Sequence, residues 1–205
     1  MSRPPILEPA EAYALWASSY PAHAHNPVMQ TEERAMLGLM PASLHGQAVL
    51  DAGCGSGRYM LHALRRGAAR VSGVDLSPQM LERAATELAA ERNGAEVELA
   101  QGSLTALPVP DALADITLCG LVVGHLEQLQ PALAELHRAT RPGGLVLCSD
   151  VHPIGHALGW VRDFKSDGQR YAARHTQHLY SHWHAACDAL GLRIEKVLEP
   201  MLDPA

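Results

Sequence analysis

Two acids and three glycines carry the most pointed chemistry in this chain. Asp51, Gly53, Gly55 and Gly57 fall within the run Ala48 to Tyr59, Ala-Val-Leu-Asp-Ala-Gly-Cys-Gly-Ser-Gly-Arg-Tyr, and Asp75 closes the run Ala69 to Val74. Glycine lacks a Cβ, so a tight turn can bring bare backbone against a ligand. A helix starting after such a turn aims its unpaired N–H groups the same way. The spacing argues against two common phosphate binders. The Gly-x-Gly-x-x-Gly of dinucleotide sites is broken, because the third glycine position holds Arg58. The Gly-Lys-Ser/Thr of a phosphate loop is absent. Asp51 would repel a pyrophosphate and suits a cationic group. Asp75 lies at the ~20-residue offset from which an acid accepts hydrogen bonds from a ribose diol. A ribose and a positive charge without phosphate describe S-adenosylmethionine.

The same residues carry a resemblance. Val49–Tyr59 resembles motif I of the class I S-adenosylmethionine-dependent methyltransferases, and Val71–Leu81 (Val-Ser-Gly-Val-Asp-Leu-Ser-Pro-Gln-Met-Leu) resembles their second motif. Leu99–Leu104 is similar to the loop around the adenine, Asp115–Leu126 to the fourth strand and its exit, and Arg141–Leu147 to the turn into the fifth strand. The motifs occur in order and the likeness spans about residues 10 to 200. It is greatest toward the small-molecule branch similar to quinone- and biotin-pathway methyltransferases. The resemblance implies a cofactor set of Tyr20, Arg34, Asp51, Gly53, Cys54, Gly55, Asp75, Leu76, Met80, Gly102, Ser103, Leu104 and Leu121. Tyr20 would cover the methionine end. Arg34 reads equally as a ligand of the cofactor carboxylate or as a solvated surface side chain. The implied reaction is methyl transfer to a small-molecule acceptor, with oxygen or nitrogen favoured. Two alternatives stay open: non-methyl chemistry with the same cofactor, and a cofactor-binding partner domain without catalysis. A nicotinamide oxidoreductase is opposed by the glycine spacing.

Methyl transfer is an in-line displacement in which positioning supplies much of the rate. An oxygen or nitrogen acceptor must lose a proton, and histidine titrates near pH ~6.5, which suits it as base. The chain has 12 histidines. His152 is the first candidate and His125 the second, because both leave strand ends facing the expected crevice; His156, His175 and His178 follow. A carboxylate acceptor would need no base. His175, His178, His182 and His184 also invite a metal, but they lack a helical i, i+4 pair within one expected helix and a cysteine at finger-like spacing. No metal is therefore expected.

The elements that must position these residues follow from local patterns. Helices are expected over 8–19, with Tyr13, Trp16 and Tyr20 on one face, from Asn26-Pro27 to about Met40, and over Arg58–Arg66, ended by Gly67. Others run from Ser77-Pro78 to about Arg92, over Pro131–Thr140, and from a Ser181 cap to Leu190. Strands are expected at Ala48–Leu50, Ala69–Val74, Glu96–Ala100, Ala114–Cys119, Leu145–Ser149 and Leu192–Glu199, with a strand or hairpin within Gln169–His178. The fold class is α/β, a Rossmann-like, doubly wound, mostly parallel sheet flanked by helices, lacking the last antiparallel strand usual in the family. Residues 1–205 read as one domain: an N-terminal helical lid (1–40), a cofactor-binding core (46–150) and an acceptor-site insertion (151–180). A homodimer or a partner chain is expected to complete the sheet.

At 205 residues, 47% of them hydrophobic, the chain can fill one core. A net charge of -6 without a basic stripe argues against nucleic acid. No apolar run approaches the ~20 residues of a membrane span, and Met-Ser-Arg-Pro-Pro lacks a signal-peptide core. The scattered Cys54, Cys119, Cys148 and Cys187 fit reduced thiols in a cytoplasmic protein.

Overall fold

The central strand, Ala48–Ala52, buries both of its faces. Val49 and Leu50 are 1% and 0% exposed and enter two different core layers, as the two-residue period of a strand requires. The computed structural model describes residues 4–202, so the outermost residues of the 1–205 domain and of the 1–40 lid lie outside the described part. In chain order the elements are β1 (Ile6–Leu7), α1 (Pro9–Trp16), α2 (Pro27–Leu39), β2 (Ala48–Ala52), α3 (Arg58–Arg65), β3 (Arg70–Asp75), α4 (Pro78–Leu88) and β4 (Glu96–Gln101). Then follow β5 (Ala114–Gly120), α5 (Gln130–Ala139), β6 (Thr140–Ser149), α6 (Pro153–Ala157), β7 (Asp163–Ser166), β8 (Gln169–Ala173) and α7 (Tyr180–Ala189).

The main sheet has the order β4-β3-β2-β5-β6, with every pair parallel. One face is covered by apolar side chains of α2, α3 and α4, among them Met36, Met60 and Leu88; the other by those of α5 and α7, among them Leu133, Leu136 and Cys187. Successive strands are added outward from β2 on one side, then outward from β5 on the other, so the strand order reverses between β2 and β5. That switch point opens a crevice at the carboxyl ends of the strands. The helix starts are fixed by local chemistry. Asn26 Oδ1 accepts the Met29 N–H at 2.9 Å and Ser77 Oγ the Met80 N–H at 3.3 Å, each with proline in the first turn.

Three expectations need correction. Residues 192–199 form no strand; Leu192 and Ile194 still pack on the second layer, while Val197 and Leu198 stay 47% and 44% exposed. Alternation records one-sided burial, and here that burial is met without a neighbouring strand. Helix α7 begins at Tyr180 rather than after a Ser181 cap, and the Leu179 N–H donates to His182 Nδ1 at 3.3 Å. Strand β6 already pairs at Thr140 and is irregular across Pro142-Gly143-Gly144, where a Cβ on Gly144 would lie 2.7 Å from Asp115 O.

A second, three-stranded sheet, β1-β8-β7, joins two strands of the expected insertion region to β1 of the N-terminal segment. Its hairpin turns on Asp167-Gly168, both left-handed at φ 49° and 77°, the geometry of a tight two-residue loop. Phe164 of β7 stacks on Trp16 of α1 with ring centroids 4.8 Å apart and is 5% exposed. Phe164→Ala is expected to destabilise the protein by about 3 kcal/mol, read as a lower midpoint in urea.

Candidate active site

The glycine turn is folded back over the end of β3. Gly53 and Cys54 both donate their N–H to Val74 O, at 2.7 and 2.9 Å, and Gly55 donates to Asp75 Oδ2 at 2.8 Å. Gly53 sits at φ 80°, and a Cβ there would lie 2.5 Å from the Val122 side chain, so only glycine fits. Asp75 Oδ1 accepts the Ser77 N–H at 2.9 Å. Burial pushes the Asp75 carboxyl up, opposed by these backbone donors, and each oxygen keeps lone pairs for further partners. Beside it, Leu76 is 50% exposed, Gly102 donates to Asp75 O at 3.0 Å, and Ser103 Oγ shares a hydrogen bond with Thr105 at 2.9 Å. Leu104 is buried. Met80 packs in one apolar cluster with Tyr20 and Leu121. The structure thus gathers Gly53, Cys54, Gly55, Asp75, Leu76, Gly102, Ser103 and Leu104 at the carboxyl ends of β2, β3 and β4.

Asp51 lies on the floor at 1% exposure, and its Oδ2 has no hydrogen-bond partner. Burial pushes its carboxyl up to about 7, against the pull of Arg58. Arg58 donates to Glu32 and Glu33 at 3.0 and 3.2 Å. Glu32 Oε1 also accepts from the Tyr59 and Ser149 hydroxyls, each at 2.6 Å. Helix α2 therefore reaches the floor through Glu32, not through Arg34. Arg34 is exposed, donates to Thr31 Oγ1 at 3.2 Å and lines a surface groove with Leu198 and Met201. Residues two apart on a helix do not share a face, so burying Glu32 turns Arg34 away from the glycine turn. The Met29, Glu32, Met36 spacing carried the signal for Glu32, an acid within an apolar stripe.

The segment ending at Tyr20 packs beside the glycine turn. Tyr20 is 8% exposed, and Ser56 Oγ of the glycine turn donates to Pro21 O at 3.2 Å. Tyr13 donates its hydroxyl to His125 Nε2 at 2.9 Å, while His125 Nδ1–H donates to Arg174 O at 2.8 Å. The carbonyl fixes the neutral tautomer. Burial, with Arg162 adding to it, lowers the His125 pKa to about 3. His152 is elsewhere: its side chain is 47% exposed, with Nε2 3.1 Å from Glu199 and Nδ1 accepting the Ile154 N–H at 3.2 Å. Capping the short α6 holds it outward, which corrects its first rank as base. His178 Nε2 lies 3.2 and 3.0 Å from Val123 O and Leu126 O, a buried structural role. Leu121 leaves β5 at φ 59°, with its N–H on Ser149 O at 3.1 Å and its O accepting from Arg162 at 3.0 Å. Strain of this kind in a non-glycine residue collects at working sites. Sequence reasoning missed Arg162, which no periodicity marks. Among the described residues no three His, Cys, Asp or Glu side chains are grouped to hold a metal ion, and no helix is long and apolar enough to cross a membrane.

This donor set fits a cationic adenosyl ligand. An unpartnered buried carboxylate oxygen meets positive charge, bare turn backbone permits close approach, and Asp75 can accept from hydroxyls. Two acids make it a poor cradle for phosphate. Residues 50–148 match the family described as Methyltransferase domain. Malonyl-[acyl-carrier protein] O-methyltransferase of Serratia marcescens is 40% identical over 167 residues, 79% of this chain and 60% of that protein. Ribosomal protein L11 methyltransferase of Shewanella pealeana is 43% identical over 103 residues, 50% of this chain and 33% of that protein. This chain therefore spans only part of the length of these relatives. An S-adenosylmethionine-dependent methyltransferase from Mesorhizobium loti superposes with a TM-score of 0.69 at 24% identity, over 87% of this chain and 88% of that one, a likeness of fold. Motifs, sheet order and relatives agree that this chain belongs to the class I S-adenosylmethionine-dependent methyltransferase family.

Proposed function

We propose that this chain transfers a methyl group from S-adenosylmethionine to an oxygen of a small acceptor, as its malonyl-[acyl-carrier protein] relative is named for doing. The observation that carries this reading is the buried, unpartnered Asp51 Oδ2, two residues before the glycine turn and close enough to Asp75 for their charges to interact. In it, Asp51 takes the cationic end of the cofactor, Asp75 the ribose hydroxyls, and Leu76, Met80, Gly102, Ser103 and Leu104 surround the adenine. Tyr20 and the rest of residues 1–40 act as lid, 46–150 as cofactor core and 151–180 as acceptor cover. His125, not His152, stands at the reacting end. Its Nε2 lone pair is already engaged by Tyr13, so it orients the phenol rather than acting as a free base. The lid must open for the cofactor to enter, because Tyr20 and the Ser56–Pro21 bond close over the turn.

The outer edge of β6 has no paired strand among the described residues. Exposed edges invite another chain, and we read a second copy as that partner in the cytoplasm. Light scattering of the intact protein is expected to give twice the mass of the 22.0 kDa chain. For the activity, the intact chain is incubated with methyl-labelled S-adenosylmethionine and malonyl-acyl carrier protein. The expected result is label in a base-labile ester together with S-adenosylhomocysteine. Release of methylthioadenosine without methylated product, or binding without turnover across an acceptor panel, would overturn the proposal.

A further inference from the structure

Arg162 is a buried cation without a carboxylate partner. It lies between α6 and β7 at 9% exposure. Its Nη1 donates to Leu121 O at 3.0 Å, it hydrogen-bonds the Tyr20 hydroxyl, and its guanidinium carbon stands 5.7 Å from the centre of the Tyr13 ring. Among the described residues no acid lies within ion-pair distance of it. The acid that acts on it through space, Asp150, has Oδ1 committed to the Val151 N–H at 2.8 Å and lies 3.2 Å from His175 Nε2. Burying an unpaired guanidinium is costly, and its planar fork of donors matches a carboxylate.

A second observation comes from the side chains around Asp150. Asp150 Oδ2, His156 Nε2 and His175 Nδ1 are buried with no hydrogen-bond partner, and His175 Nε2 has only the 3.2 Å approach of Asp150 Oδ1. The His175 and Asp150 side chains are 4% and 8% exposed. The His175 ring lies 5.6 Å from His125, 4.6 Å from His156 and 6.0 Å from Trp160, centre to centre. Buried polar atoms in native proteins nearly always have partners, so a cluster without them marks a place for a polar ligand.

We propose that Arg162 holds the acceptor, that the acceptor is a carboxylate, and that His175 and His156 receive its second polar group. This rests on the cofactor reading above and deepens it. The acceptor's carboxylate oxygen forms the O–CH3 bond as the S–CH3 bond breaks, and that bond's electron pair stays on sulfur. One negative and one positive charge disappear, the products are a methyl ester and a neutral thioether, and no proton is released. A free general base is then unnecessary, which agrees with His125 having its lone pair engaged by Tyr13. Arg162 is a binding residue in this account. Its guanidinium fixes the carboxylate while leaving one oxygen lone pair for the methyl carbon.

The test uses the intact chain saturated with S-adenosylhomocysteine and follows acceptor binding by calorimetry and by intrinsic tryptophan fluorescence. The probes are malonyl-N-acetylcysteamine, its methyl ester, and a panel of short mono- and dicarboxylates. The acid is expected to bind at least ~30-fold tighter than its ester, as a lost charge-assisted pair implies. Arg162→Lys should weaken the acid about 10-fold and Arg162→Gln about 100-fold, with affinity for S-adenosylhomocysteine held within about threefold. His175→Ala should weaken the acid by roughly 5-fold through its second group. Where Arg162→Gln does not fold, Arg162→Lys and His175→Ala decide. Equal binding of acid and ester, no carboxylate bound by the saturated protein, or wild-type acid affinity in a folded Arg162 variant would overturn the proposal. Failure of the wild type to bind S-adenosylhomocysteine would instead sink the cofactor reading on which it stands.

Discussion

Asp51→Asn is expected to weaken S-adenosylhomocysteine binding by about 10- to 100-fold, the ~1.5–3 kcal/mol of a hydrogen bond to a charged group, while making the ligand-free protein more stable. The two effects share one cause. The Asp51 carboxyl is buried with an unpartnered oxygen and sits at about 7 instead of 3.8. The folded protein therefore holds this proton more tightly than the unfolded chain. Between pH 3.8 and about 7 the unfolded chain loses the proton first, so stability falls as pH rises through that window. Above it the ionised carboxyl costs up to ~4 kcal/mol, which asparagine removes. A thermal melt at pH 8 should show the higher midpoint, and the same gap should be absent near pH 3.8. Ligand binding has the opposite sign. The cationic amino-acid end of the ligand needs the ionised acid, so wild-type affinity should decline as pH drops below about 7. Methylthioadenosine, which lacks that end, should bind with little change across the same range. A variant that loses affinity and stability together would mean Asp51 is structural.

Glu32→Ala should be the most destabilising single change near the site. It removes one carboxylate that accepts from Arg58 at 3.0 Å and from the Tyr59 and Ser149 hydroxyls at 2.6 Å each. Arg58 keeps only its bond to Glu33 at 3.2 Å and one to the Tyr59 hydroxyl at 3.3 Å. Breaking one partner of a buried pair costs about 3–5 kcal/mol, because the other charge stays buried. Glu32→Gln keeps the shape and an accepting oxygen, so its loss should be about half as large. Urea denaturation of both variants, with the midpoint compared at constant slope, measures the difference. The effect should reach the cofactor as well, since Arg58 acts on Asp51 from this network.

The parts of the fold fixed by neighbours in sequence were legible. The glycine turn, the Asn26 and Ser77 caps and the alternation of Val49 and Leu50 each depend on a few adjacent residues, and each sits in the structure as its pattern implies. What depends on distant partners was not. Leu192 and Ile194 alternate with Arg193 and Glu195 whether or not a strand pairs with them, so the pattern alone suggested a strand the chain does not form. His152 and Arg162 both lie in loops after β6, where no period says which way a side chain points; one turned out, the other in. The Asp167-Gly168 hairpin is different. Its turn signal is strong and stood in the sequence, between Asp163–Ser166 and Gln169–Ala173. Glu32 likewise stood in an apolar stripe, where a lone acid implies a buried cationic partner.

Isothermal titration of S-adenosylhomocysteine into the intact protein and its Asp51→Ala/Asp75→Ala double variant measures whether these two carboxylates form the ligand's cradle. The account predicts one site per chain in the wild type and at least a 100-fold loss in a folded double variant, two charge-assisted contacts being removed at once. Wild-type affinity in that double variant would contradict it.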